Sequence, residues 1–277
     1  MKNLSTFKQI AAGAALTASL GFASSSAMAF EDFDVDPTGV AAGSALPGAA
    51  FTADKITGNY VEVITFTPTG LGMGTFDVSL SWQAGQFVAN DGVDPVSVVD
   101  TSLNVGYDLY ALYQGSGTFS TDLSGATTFV SDAGSGSIAM YIDDDADSTF
   151  TAPGSGAGAW SIGNNADDIL IATGTPAAGG GLLDPSLQTC GGGGINCGSF
   201  GNSTTFGLTA AGSNFFTAPN PFYSMSFQSG QLNNFTVAGT QRINGSLDVV
   251  FRVPAPTSIA LMGLGLSLLG FGARRRK

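Results

Sequence analysis

The densest set of groups able to do chemistry is Asp143-Asp144-Asp145-Ala146-Asp147. Carboxylates at 143, 145 and 147 follow the strand-like run Ile138 to Ile142, and hard oxygen ligands at that spacing can wrap a calcium ion. The run is not an EF-hand loop, because Ser148 replaces the turn glycine and Gly154 stands where the bidentate acid belongs. Without a metal the same residues make a solvated acidic turn. Asp143, Asp145 and Asp147 are thus the candidate metal ligands, with Ca²⁺ the one cofactor considered. Asp167-Asp168 reads as a turn or a strand edge, where charge discourages edge pairing. The second set is Cys190 and Cys197, the only cysteines, enclosing a glycine-rich stretch. An isolated pair this close in an oxidising compartment reads as a disulfide. Six intervening residues instead of two, and no histidine to complete a ligand set, count against a redox or metal site.

The absence of histidine excludes His-based nucleophilic triads and helical zinc-protease motifs. Glu31 and Glu62 are the only glutamates, and no nucleophile-elbow or phosphate-loop pattern occurs. No catalytic residue is assigned and the chain is not expected to be an enzyme. Trp82, Trp160 and the tyrosines have faces on which a sugar can stack, although aromatics in a strand ordinarily belong to the core. All 21 acids lie between Phe30 and Arg252, where Lys55, Arg242 and Arg252 are the only bases, so this segment carries −18. A phosphate backbone would be repelled, and nucleic acid is not an expected partner.

The elements that must position these groups are strands. Forty glycines and 20 phenylalanines with only 11% charged residues point to a glycine-rich all-β protein. Alternating apolar and polar bursts recur between Gly, Asp, Asn and Pro, most clearly at Tyr60 to Phe66 and Phe76 to Trp82. Further bursts span 107–113, 138–142, 169–172, 205–208, 223–227 and 247–251. No repeat or linker divides residues 30–252, so one antiparallel β-sandwich, jelly-roll-like, of roughly eight to twelve strands is expected. Ala177 to Gly201 is the least regular stretch and reads as a long Gly-rich loop that includes Gly179-Gly180-Gly181.

Both ends carry addresses. Lys2, Lys8, an apolar stretch from Ile10 to Phe22 and the small-x-small pattern at Ala27 and Ala29 make residues 1–29 a signal peptide, cleaved after Ala29. At the other end, residues 253–277 begin Val253-Pro254-Ala255-Pro256-Thr257-Ser258, continue with an apolar stretch from Ile259 to Gly272, and close on Arg274-Arg275-Arg276-Lys277. The prolines keep the peptide extended. The apolar stretch is near the lower limit for a membrane span, and the four terminal cations hold that end in the cytoplasm.

This tail resembles the PEP-CTERM sorting signal of Gram-negative bacteria, which is processed by an exosortase, a membrane-embedded cysteine protease-transpeptidase. Ala255 stands where that family usually has Glu. The body resembles the flocculation-associated PEP-CTERM proteins, through Ala53 to Tyr60, the paired-cysteine loop with Gly198-Ser199-Phe200, Phe227 to Phe235 and Asn244 to Phe251. The resemblance implies a protein of the cell surface or biofilm matrix that supports aggregation within extracellular polysaccharide. It implies signal peptidase and exosortase as export partners, polysaccharide as an extracellular partner, and transient anchoring in the inner membrane. A carbohydrate-binding module and a polysaccharide-modifying enzyme using paired carboxylates remain alternatives.

Overall fold

The structure, a computed structural model, describes residues 30–40, 46–191, 194 and 196–252. The signal-cleavage residues Ala27 and Ala29, the sorting residues Pro254, Ala255 and Pro256, and the basic residues Arg274, Arg275, Arg276 and Lys277 lie outside the described residues.

The strands in chain order are β1 (Phe33–Val35), β2 (Phe51–Ala53), β3 (Lys55–Gly70), β4 (Met73–Ala89), β5 (Asp94–Pro95), β6 (Asp108–Thr121), β7 (Thr127–Ser131) and β8 (Ser137–Asp143). They continue with β9 (Thr149–Thr151), β10 (Ser161–Gly163), β11 (Ile169–Gly174), β12 (Pro176–Leu183), β13 (Gly198–Thr204), β14 (Gly207–Leu208), β15 (Phe216–Ala218), β16 (Ser224–Leu232) and β17 (Gly239–Arg252). Two short helices, α1 (Val98–Thr101) and α2 (Ala210–Phe215), interrupt them. The seventeen strands among the described residues exceed the expected eight to twelve because seven of them have only two or three residues.

Eight strands close into an antiparallel barrel in the order β3-β4-β6-β7-β12-β13-β16-β17, with β17 pairing back onto β3. This corrects the expected sandwich. The sequence bursts are the middles of long strands: Tyr60 to Phe66 lies inside the 16-residue β3, and Phe76 to Trp82 inside the 17-residue β4. Strands of that length coil far enough for β4 to bond along β6, from Met73↔Ser120 to Gln83↔Tyr110, so the sheet packs against itself. β6 is shared. Its residues 117–121 pair with β7 in the barrel wall, while 108–114 pair with β8, and β8, β11 and β14 peel away as an extension.

Alternation then decides the two faces. Tyr60, Glu62, Ile64 and Phe66 of β3 point inward, as do Phe76, Val78, Leu80 and Trp82 of β4. Outward positions such as Thr65, Thr75, Asp77, Gln83 and Arg242 are polar. An apolar lumen with a polar wall is the inverse of an outer-membrane barrel. Trp82 is fully buried and donates its indole N–H to the Leu247 carbonyl at 2.8 Å. Replacing it by Ala would cost about 3–5 kcal/mol through the cavity left behind.

The expected loop from Ala177 to Gly201 is strand at both ends, 177–183 in β12 and 198–201 in β13, and a connection only at 184–197, which is a second correction. Gly179-Gly180-Gly181 lies in β12, where Gly180 pairs with Val130 on one side and Gly201 on the other. A β-carbon at Gly179 would lie 2.6 Å from the Asn202 amide carbon, and one at Gly181 would lie 2.8 Å from the Phe200 β-carbon. The glycines therefore make room for β13 side chains. Gly58, Gly117 and Gly230 do the same for Trp82, Phe76 and Phe200.

One barrel end is closed by an aromatic cluster around Phe251, whose ring lies 4.9 Å from Phe33, 5.0 Å from Phe222 and 5.4 Å from Phe216. The small sheet β15-β1-β2 supports this cluster. Phe33 and Phe251 stand near the two termini of the described body, so both sequence addresses attach at this end. The other end carries the Cys190–Cys197 disulfide, with an S–S distance of 1.98 Å.

Candidate functional site

The acidic run begins where β8 leaves the sheet. Asp143 ends β8 opposite Asp108 of β6, and it is buried. Its carboxylate accepts from the backbone N–H groups of Asp147 at 3.3 Å and Ser148 at 2.8 Å, folding the chain into a tight loop with Ala146 in the left-handed region. Carboxylate oxygens of Asp143, Asp145 and Asp147 lie within 4.8 Å of one another, as do those of Asp144, Asp145 and Asp167. The sequence-predicted trio thus converges.

The structure adds residues that sequence spacing did not bring to the site. Asp168 accepts from the Tyr110 hydroxyl and from the Ser148 hydroxyl at 3.0 and 3.1 Å. Asp167-Asp168 consequently forms the second side of the acidic loop. Desolvation in the loop, followed by the charges of Asp147 and Asp167, pushes Asp145 up to about 6. Desolvation and then Asp143 raise Asp108 as well. Carboxylate oxygens that converge in this way form a donor set suited to a hard divalent cation. The signal in the sequence was the Asp167-Asp168 pair, whose 20-residue separation from Asp147 hid their proximity.

From this loop springs the hairpin β9–β10, with Phe150 registered opposite Ile162. The excursion from 149 to 163 lies across the outside of the barrel. Gly156 donates its N–H to the Thr65 hydroxyl at 2.8 Å, and the Gln114 amide donates to the Gly158 carbonyl at 2.9 Å. Phe150 meets the Tyr110 ring edge-on at 4.9 Å, and Tyr110 in turn stacks on Tyr141 at 5.1 Å. Between the hairpin and the wall is a groove of about 200 Å³, lined by Asn59, Gln83, Phe150, Trp160 and Arg242 among others. The partly buried Trp160 presents an indole N–H with no partner among the described residues. Arg242 is exposed on β17 and has no ion pair among the described residues, whereas Lys55 pairs with Asp248 at 3.6 Å. Trp82 belongs to the core as expected; Trp160 belongs to the groove.

The last described residue, Arg252, opens a segment with a recognisable pattern. Residues 252–277 match the family described as PEP-CTERM protein-sorting motif. The chain carries an exosortase-sorting tail. Such a tail implies export and a transient membrane anchor for the barrel that precedes it. No curated protein and no solved structure matches the chain. Among the described residues no helix is long and apolar enough to cross a membrane.

Proposed function

We propose that this exosortase-sorted barrel is a non-enzymatic matrix protein of a Gram-negative cell surface, binding extracellular polysaccharide and supporting flocculation. The observation that carries the reading is the sorting tail placed directly after a folded body whose outer wall bears an aromatic and polar groove. Trp160 and Phe150 offer faces for a sugar ring, and Asn59, Gln83 and Arg242 offer hydrogen bonds at its rim. Arg242 is one of only three bases in a body of net charge −18, and it stands at this groove.

Calcium enters through the hairpin. Asp143, Asp145 and Asp147, joined by Asp144, Asp167 and Asp168, sit at its base, so a cation there would hold Phe150 and Trp160 in position. The oxygens converge within 4.8 Å, a spacing at which they can share one cation.

Affinity electrophoresis through gels containing purified extracellular polysaccharide from the producing cells tests this, with calcium or with chelator. Retardation should weaken at least about tenfold on adding chelator, on Trp160→Ala, and on the triple Asp143, Asp145 and Asp147→Asn change. Equal mobility of all variants in gels with and without polysaccharide would remove the polysaccharide reading. Retardation accompanied by glycan shortening would favour the enzyme alternative.

A further inference from the structure

An eight-stranded barrel has an interior just wide enough to be filled by its own side chains or to hold one small ligand. Here it is not filled. A cavity of about 60 Å³ remains between β3, β4, β6, β13 and β16, walled by apolar groups such as Ile64, Phe76, Leu80 and Phe227. A volume of that size has room for a few heavy atoms beyond a single water.

Its polar groups are concentrated. Glu62 is the only charged side chain lining it and is 5% exposed. Asn202 lines it from β13 and is 8% exposed. The Asn202 amide N–H₂ donates to the Tyr113 hydroxyl and, at 3.4 Å, to Ser131, while its Oδ1 is buried with no hydrogen-bond partner among the described residues. No hydrogen bond to the Glu62 carboxyl occurs among the described residues. A buried acceptor left without a donor costs about 1–3 kcal/mol.

The cavity is capped at one end. Phe235, in the β16–β17 connection, lies over the barrel end, stacked at 5.9 Å on Phe66 and 6.3 Å on Phe129, and it lines the cavity. It belongs to a loop outside the strand ladder, so moving it breaks no sheet pairing.

We propose that the barrel interior is a binding site for a small neutral molecule with a short apolar body and a hydroxyl head, the head donating to Asn202 Oδ1 and meeting Glu62. The site is separate from the outer groove and independent of the polysaccharide reading. Burial pushes the Glu62 carboxyl up to about 7, so near neutral pH it can supply a proton as well as accept one, which suits a hydroxyl partner.

The test titrates ¹⁵N-labelled barrel, disulfide intact, with 1-butanol and with 1-chlorobutane, following amide shifts of cavity-lining residues. Wild-type protein should show saturable shifts with 1-butanol and bind it at least about tenfold more tightly than 1-chlorobutane, because only the hydroxyl satisfies the buried acceptor. Asn202→Leu and Glu62→Leu should each bring the two affinities within about twofold; if one variant fails to fold, the other is decisive. No saturable shift in wild type overturns the site. Equal affinity for the two probes overturns the role of Asn202 and Glu62 and leaves only an apolar void.

Discussion

The backbone N–H of Asn234 donates to the carbonyl of Gly194 at 2.7 Å, joining the disulfide loop to the segment that carries Phe235 over the barrel end. Within the loop Gly194 donates to the Cys190 carbonyl at 3.0 Å, and Cys197 donates to the Leu232 carbonyl at 2.7 Å. The disulfide therefore braces this barrel end, through β16, as well as closing its own loop.

Replacing both Cys190 and Cys197 by Ser should lower stability by about 2–3 kcal/mol, the closure entropy of an eight-residue loop. Urea denaturation measures this. Hydrogen exchange at the Leu232 and Asn234 amides should accelerate more than at β3 or β4, since the brace acts at one end.

Glu62 makes stability depend on pH. Its folded value of about 7 lies above the ordinary 4.5, so between these values the folded chain binds more protons than the unfolded one. Stability should then fall as pH climbs from about 4.5 to 7, by about 3 kcal/mol in all, and level off above. Glu62→Gln should flatten that slope in urea melts taken at pH 4, 5.5, 7 and 8. An unchanged slope would assign the dependence to the exposed acidic loop.

Two glycine substitutions should separate close packing from glycine content. Gly58→Ala sets a methyl group 2.5 Å from the Trp82 indole nitrogen and 2.3 Å from the Gln83 carbonyl, and should cost about 2–4 kcal/mol. Gly154→Ala meets nothing within 4 Å and should change thermal stability by under about 0.5 kcal/mol.

The tail changes should give two distinct defects. Neutralising Arg274, Arg275 and Arg276 should impair membrane retention, because those charges fix the short span in register. Replacing Pro254 and Pro256 should leave insertion intact and block cleavage, and Ala255→Glu should speed processing if that carboxylate is read directly. Mass spectrometry of the mature C-terminus, with and without the sorting enzyme, distinguishes these; a mature protein that keeps Lys277 throughout would make the tail a plain anchor.

The all-β class was legible because period-two alternation survives wherever both neighbours of a residue are ordinary side chains, as from Phe76 to Trp82. Closure was not legible. It depends on β4 reaching β6 along a register that no local pattern encodes, and on glycines such as Gly58, Gly117 and Gly180 that break the alternation while sitting inside strands. The disulfide was legible from two isolated cysteines, and the Asp143, Asp145 and Asp147 cluster from its spacing. Asp168, Tyr110, Trp160 and Arg242 were not, since pairings across the sheet and the fold of one hairpin bring them together. Asn202 gave no signal, because an Asn in a Gly-Asn-Ser stretch resembles a turn until β13 is seen to face the lumen.

The way the large sheet ends bears on how copies of the chain can meet. Its outermost strands are β14 and β5, two residues each, and β5 ends on Pro95, which has no N–H to offer. Among the described residues the ring itself has no rim at which another chain can dock strand to strand. A protein concentrated among its own copies would, with longer rims, zip into fibres. Here the short rims, one of them ending on proline, leave contact between copies to side chains, so each barrel keeps its own shape.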